Sequence, residues 1–248
     1  MKDNITNLIN KFEEIKRKDW VKSINKNSSG VGMTLESLLN IQENNLPIPD
    51  FNNIEIKAKK EYTKGFITLF NCTPTGPFIK ETERLKDEFG YPHNELKQYK
   101  VLNNSIYVNK ITKIGNNYYF KLKIDNKNEM IILQVYNKNM KLIEEKTYWS
   151  YDLLKEKLII KTKYLAIFTA ETKILNNEIY FKYKKIEIYR LKDFSNFINL
   201  LEDGIIRITF KISIFKTGKR KGQIHDHGTG FDINKKDFIK LYDLIKEK

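Results

Sequence analysis

The 248 residues predict an α+β protein. Three observations carry that expectation. Apolar residues recur at helical spacing in several short stretches, and period-two runs bounded by Asn- and Gly-rich turns fill the middle and end of the chain. Neither an internal repeat nor a low-complexity linker divides it, so one fold with two lobes is expected, with length enough for a substantial core.

In chain order, Ile5, Leu8, Ile9, Phe12, Ile15 and Trp20 define an amphipathic N-terminal helix. In "NSSGVGMTLESLLNIQENN", Ser28 to Gly32 reads as a flexible loop. Leu35, Leu38 and Leu39 then mark the buried side of a short helix that Pro47 and Pro49 forbid from continuing. Alternation begins at Ile54, and "GFITLF" (Gly65 to Phe70) is expected to pair with that first strand, closed by the turn-rich "NCTPTGP". A charged helix follows across Ile79 to Phe89, then a three-stranded meander of "SIYVNKI", "YYFKLKI" and "MIILQVY", and a helix over Leu153 to Leu158. Two long strands, Tyr164 to Thr172 and Glu178 to Tyr189, join through "LNN". A helix around Phe194 to Leu201, the strand in "GIIRITFKISIF", the stretch "IHDHGTGFDI" and a final helix from Lys235 complete the chain.

Composition narrows the function. A formal charge of +14 imposes self-repulsion that an anionic partner relieves, and nucleic acid is the first candidate. A membrane surface competes, yet no run of about 18 apolar residues exists and the N-terminus is a charged helical pattern, so a soluble cytoplasmic protein is expected. Inflated Lys, Asn and Ile discount the basicity. Arginine is confined to Arg17, Arg84, Arg190, Arg207 and Arg220. The single cysteine, Cys72, excludes a disulfide framework and reads as a small buried hydrophobe.

"PIPDFNNIEIKAKK" (Pro47 to Lys60) is the candidate for chemistry. Metal-assisted phosphodiester hydrolysis needs carboxylates converging on a hard cation and a cationic group near the attacking water. On a strand, Glu55 and Lys57 share one face while Ile54 and Ile56 enter a core, and Asp50 can bend back toward the charged face. The resulting D-x(n)-[DE]-x-K pattern is weak alone, because Glu-x-Lys occurs five times, at Glu14, Glu55, Glu95, Glu144 and Glu171. Proline punctuation and the alternating isoleucines single out the Glu55 copy, against the bland reading of one more charged stretch. Glu36 is either an active-site carboxylate or an ordinary first-turn glutamate favoured by the helix dipole.

Taken together, "GVGMTLESLLNIQENN", "PDFNNIEIKAKK" and "ITLFNCTP" resemble, in order and spacing, the N-terminal half of the MvaI/BcnI family of restriction endonucleases, relatives of the nickase MutH within the PD-(D/E)xK superfamily. "GIIRITFKI" and "HDHGTGFDI" resemble the family's end, and the segment from about Glu83 to Leu200 matches only in general pattern. The resemblance implies metal binding at Asp50, Glu55 and the Ile56 carbonyl, a catalytic lysine at Lys57, and a supporting role for Glu36. It implies a MutH-like fold, a mixed central sheet flanked by helices, with two lobes around a DNA cleft: a catalytic lobe over about 1–150 and a recognition lobe over about 151–248. It further implies a monomer that nicks each strand of double-stranded DNA in turn.

For DNA contact, "FKTGKRKGQIHDHGTGF" gathers Lys216, Lys219, Arg220 and Lys221 into a glycine-punctuated turn suited to phosphates, or equally to a solvated tip. His225 and His227 face one way on a strand and Asp226 the other; a metal pair, a general base and base-edge contacts are the alternatives. A zinc site would need further ligands, and His93 sits in "YPHNE", read as a surface loop. The resemblance favours DNA reading by His225 and His227, with Asp226 accepting from cytosine and Arg207 or Arg220 gripping guanine.

A Mg2+-dependent type II restriction endonuclease is therefore expected, cutting a short CC/GG-type site and paired with a cognate DNA methyltransferase. A MutH-like methylation-directed nickase is the nearest rival, and a non-catalytic DNA-binding protein the rival of another class.

Overall fold

The computed structural model describes residues 1–41, 48–63 and 65–248. The chain begins α1 (Lys2–Arg17), β1 (Val21–Lys22), α2 (Gly30–Leu38), β2 (Glu55–Lys60), β3 (Phe66–Asn71), α3 (Glu81–Phe89), β4 (Tyr91–Pro92) and β5 (Lys100–Ile106). It continues β6 (Thr112–Ile114), β7 (Tyr118–Asp125), β8 (Met130–Asn137), β9 (Leu142–Ser150) and α4 (Tyr151–Thr162). It ends β10 (Tyr164–Leu175), β11 (Glu178–Leu191), α5 (Phe194–Glu202), β12 (Ile206–Ile214), β13 (Ile224–Asp226), β14 (Gly230–Asn234), α6 (Phe238–Leu241) and β15 (Tyr242–Glu247). Among the described residues no helix is long and apolar enough to cross a membrane.

Two compact units interleave along the sequence: Met1–Gly65 with Ile159–Lys192 and Leu241–Lys248, and Phe66–Leu158 with Asp193–Lys240. Neither follows the expected division near residue 150. The chain leaves the first unit, builds most of the second, and returns twice.

The first unit is a mixed five-stranded sheet ordered β1–β11–β10–β2, with β15 added to β11. Its one parallel pair, β2 with β10, sets Glu55 beside Leu165 and Lys57 beside Ile167. β10 reads as a near-continuous apolar run because Leu165 to Phe168 are wholly buried, as a strand covered on both faces requires. The α1 stripe (Leu8, Ile9, Phe12, Ile15) and α2 (Val31, Leu35, Leu39) cover the face carrying Ile54, Ile56, Ala166 and Phe168. Trp20, expected in the first helix, lies beyond it, because Asp19 takes a left-handed conformation at φ 56°.

α2 starts at Gly30, inside the stretch expected to be a flexible loop. It stops well before the prolines. Asn40 adopts φ 56°, its N–H bonds to the Ser37 carbonyl and the Ile41 N–H bonds to the Glu36 carbonyl, the left-handed cap that ends many helices. The stop expected from Pro47 lies outside the described residues.

The second unit holds a six-stranded sheet ordered β3–β14–β12–β5–β4 with β13 on β12, and an antiparallel four-stranded sheet β6–β7–β8–β9. Phe70, Phe197, Phe231, Trp149, Phe210 and Phe120 form its aromatic centre.

Four pairings differ from the sequence expectation. β2 and β3 are not a hairpin: β2 runs beside β10 and β3 beside β14, strands far away in sequence that local alternation cannot reveal. "SIYVNKI" supplies the end of β5, paired with β12, while β9 completes the meander instead. His225 and His227, expected to share a strand, do not: β13 ends at Asp226, and Gly228, whose φ is 80°, separates it from β14. The last helix is one turn, after which β15 pairs with β11.

Candidate active site and nucleic-acid surface

The approach to β2 is a two-residue reversal. Asn52 and Asn53 both have positive φ, 44° and 67°, and Phe51 and Ile54 exchange backbone hydrogen bonds of 3.0 and 2.8 Å across them. Asn-Asn tolerates this left-handed pair better than most dipeptides, so the sequence itself folds the chain back. The consequence is that Asp50 returns to the start of β2, where its Oδ2 accepts a 3.0 Å hydrogen bond from the Ile56 N–H.

From there the strand alternates as expected: Ile54 and Ile56 enter the core, and Glu55 and Lys57 share the other face. Glu55 is only 1% exposed. Its Oε1 accepts from Lys57 Nζ at 2.6 Å and lies 3.6 Å from Lys161 Nζ, whereas its buried Oε2 has no hydrogen-bond partner. Burial pushes the carboxyl up to about 7; Lys57 pulls it down, Asp50 pushes it up, and Lys161 pulls it down.

Lys161, in the last turn of α4, was not foreseen: nothing local in "KLIIKTK" marks it. Asp50, Glu55, Ile56, Lys57, Lys161 and Glu36 all line one cavity of about 360 Å³. Glu36 stands in the last turn of α2, not the first, which removes the helix-dipole reading for it. Its charge, after burial, holds the Tyr183 phenol above its usual range, and that hydroxyl donates to the Val31 carbonyl at 2.7 Å.

Among the described residues no group of three or more His, Cys, Asp or Glu converges as a metal centre. The cavity is lined by three carboxylates, Glu36, Asp50 and Glu55, the last with an unpartnered buried oxygen, and by the Ile56 peptide that adjoins Asp50 and Glu55. An all-oxygen set of this kind suits a hard divalent cation that keeps several waters, and it does not suit zinc.

The histidine strand lies in the second unit. His225 stacks on Phe215 at 4.1 Å and 15°, and His227 lies 3.9 Å from His225. Arg220 sits over the same Phe215 ring at 4.0 Å, so cation and rings form one ladder. His225 is held below its ordinary pKa by desolvation first, then by His227 and Arg220. Asp226 points elsewhere: Oδ1 accepts from the Gly228 N–H at 2.7 Å and Oδ2 from the Thr82 hydroxyl at 3.4 Å. Lys219 is exposed in the turn, while Lys216 pairs with Glu95 at 2.8 Å.

Arg207 is less free than expected. Its guanidinium covers the Phe66 ring at 3.5 Å and its Nε lies 3.6 Å from Asp232. Asp232, buried, accepts from the Thr68 and Thr209 hydroxyls at 2.7 Å each, with Lys211 at 3.5 Å. Sequence reasoning missed this cluster, although an aspartate between Phe231 and Ile233 is a polar residue on the face opposite an apolar one. His93, read as a surface residue, is buried, its Nδ1 accepting from the Glu95 and Leu96 N–H groups.

Comparison with solved structures defines the class. The fold matches restriction endonuclease MvaI in complex with its cognate DNA substrate at TM-score 0.91 and 31% identity, over 100% of this chain and 98% of that one. MvaI in the absence of DNA matches over the same shares and identity at TM-score 0.61. The model of the MvaI/BcnI restriction endonuclease family matches residues 9–242, and the chain belongs to that family of DNA-cleaving enzymes. No curated protein sequence matches.

Proposed function

We propose that the chain is a Mg2+-dependent restriction endonuclease whose catalytic site is the Asp50–Glu55–Lys57 cavity. The observation that carries this reading is the buried Glu55 carboxylate, with one oxygen held by Lys57 and the other unpartnered, beside Asp50. Asp50, Glu55 and the Ile56 carbonyl would hold the ion. When bound, Mg2+ supplies a Lewis acid for the phosphate and a water of lowered pKa. Lys57, which holds Glu55 Oε1, would place positive charge near the attacking water and the phosphate, and Glu55 Oε2 would be the oxygen that faces the ion. Glu36 and Lys161 set the charge around the pair.

In the second unit, Lys219 contacts phosphates. Arg207, Arg220, His225, Asp226 and His227 read base edges, the Phe215 ladder fixing Arg220 and His225 relative to one another. MvaI was crystallised with cognate DNA, which supports duplex DNA as the partner. The site is a short CC/GG-type sequence, cut by a monomer one strand at a time to leave a 5′-phosphate, with a companion methyltransferase protecting the host.

Digestion of a mapped supercoiled plasmid tests this. Linear product that requires Mg2+ is expected. Arrest at nicked circles would instead give the methylation-directed nickase, and binding without any cleavage the non-catalytic rival.

A further inference from the structure

The loop between β3 and α3 carries two adjacent apolar side chains into water: Phe78 is 59% exposed and Ile79 fully so, at 104%. Isolated exposed apolar residues are common and need no explanation, but this tip is mounted rigidly on both sides. Before it, Thr75 and Tyr148 exchange backbone hydrogen bonds of 2.8 and 2.9 Å, and the Trp149 indole N–H donates to the Cys72 carbonyl at 3.0 Å. After it, the buried Glu81 is locked to Arg84, whose guanidinium also lies 5.7 Å from the Phe78 ring. Gly76 presses so closely on the Glu81 carboxylate that a side chain there would collide with it.

The base of the loop also touches the histidine strand. Thr82, three residues past Ile79, donates to Asp226, the residue between His225 and His227. The Cys72 N–H donates to the Thr229 carbonyl at 2.8 Å, two residues past His227. Lys80, immediately after the tip, is largely exposed and pairs with Glu83 at 3.2 Å, a surface contact weak enough to be exchanged for a phosphate. A stiffly mounted apolar point, a flanking ammonium and a shared footing with the proposed base readers are the elements of a DNA wedge: the side chain enters a base step, losing contact with water, while the cation meets a phosphate.

We propose that Ile79, backed by Phe78, is an apolar wedge that inserts between stacked base pairs of the bound duplex. This rests on the reading above that the second unit binds DNA. The duplex recovered from the enzyme's own cleavage site, with 2-aminopurine placed in turn at each step within and beside it, is bound by the full-length protein without Mg2+. Fluorescence should rise at one step. Ile79→Ala should abolish that rise and weaken binding roughly tenfold, the worth of one buried aliphatic side chain, while leaving thermal stability unchanged because Ile79 is fully exposed in the free protein. Ile79→Asp should weaken binding further. Tight binding by the wild type with no rise at any step, or an Ile79→Ala protein that binds and unstacks like the wild type, overturns the wedge and leaves DNA binding intact. A wild type that does not bind duplex at all overturns the underlying reading as well.

Discussion

Two glutamates, one in each unit, are equally buried at 1% exposure and do opposite things. Glu81 is saturated: its Oε1 accepts from Arg84 Nη2 and from the Thr147 hydroxyl, both at 2.5 Å, and its Oε2 accepts from Arg84 Nε at 3.1 Å. Arg84 also grips Glu144 with two nitrogens, at 2.6 and 3.1 Å, and these bonds, Glu81's first, hold its proton more firmly than usual. Glu55 has only amines on one oxygen and nothing on the other. A closed ion network fixes α3 to β9; an open one leaves the oxygen proposed to meet the metal without a partner. Burial alone marks neither as functional, and satisfaction separates them.

The largest expected effect breaks the closed network. Arg84→Ala takes the partner from three carboxylates, Glu81, Glu144 and the more exposed Glu88, and the loss at the first two should lower unfolding free energy by about 3–5 kcal/mol in urea denaturation. A loss below about 1 kcal/mol would reduce the network to an ordinary surface pair.

Next comes the pH response of the open site. Because the Glu55 carboxyl is raised from 4.5 to about 7 in the folded chain, the folded state binds the extra proton. Without metal, the contribution of Glu55 to stability is therefore fully present below about pH 4.5 and is lost as pH rises through about 7, at up to about 1.4 kcal/mol per pH unit within that window. Glu55→Gln should flatten this slope. Mg2+ should restore stability to the wild type above pH 7 and not to the variant, as read by thermal unfolding with and without the ion. An unchanged slope in Glu55→Gln would show that another group carries it.

The smallest effect belongs to Lys161, at 3.6 Å rather than 2.6 Å from Glu55. Removing its charge in Lys161→Ala should raise the Glu55 pKa further and move the rising limb of the pH–activity profile to higher pH, with less than about tenfold loss at the optimum. A profile superimposable on the wild type would exclude Lys161 from the site's electrostatics.

What the sequence disclosed follows from the range of each interaction. The α1 stripe, the β10–β11 hairpin across Asn176 and Asn177, and the opposite faces of Ile54/Ile56 and Glu55/Lys57 are set within a few residues and were legible. The Asn52–Asn53 reversal and the Asn40 cap were equally local, yet their positive φ signals lay in asparagines of an Asn-rich chain. Lys161 reaches Glu55 only because α4 leads into β10 beside β2, and β2's partner, β15 and the interleaving of the units depend on pairings remote in sequence. Of the five Glu-x-Lys copies, Glu55 alone is buried, a distinction that composition and spacing do not contain.

The most direct test of the proposed catalytic cavity is to measure DNA binding and Mg2+-dependent plasmid cleavage together in Asp50→Ala and Lys57→Ala. Binding that survives while cleavage falls to background is the predicted result; cleavage at the wild-type rate in either variant would place the chemistry elsewhere in the molecule.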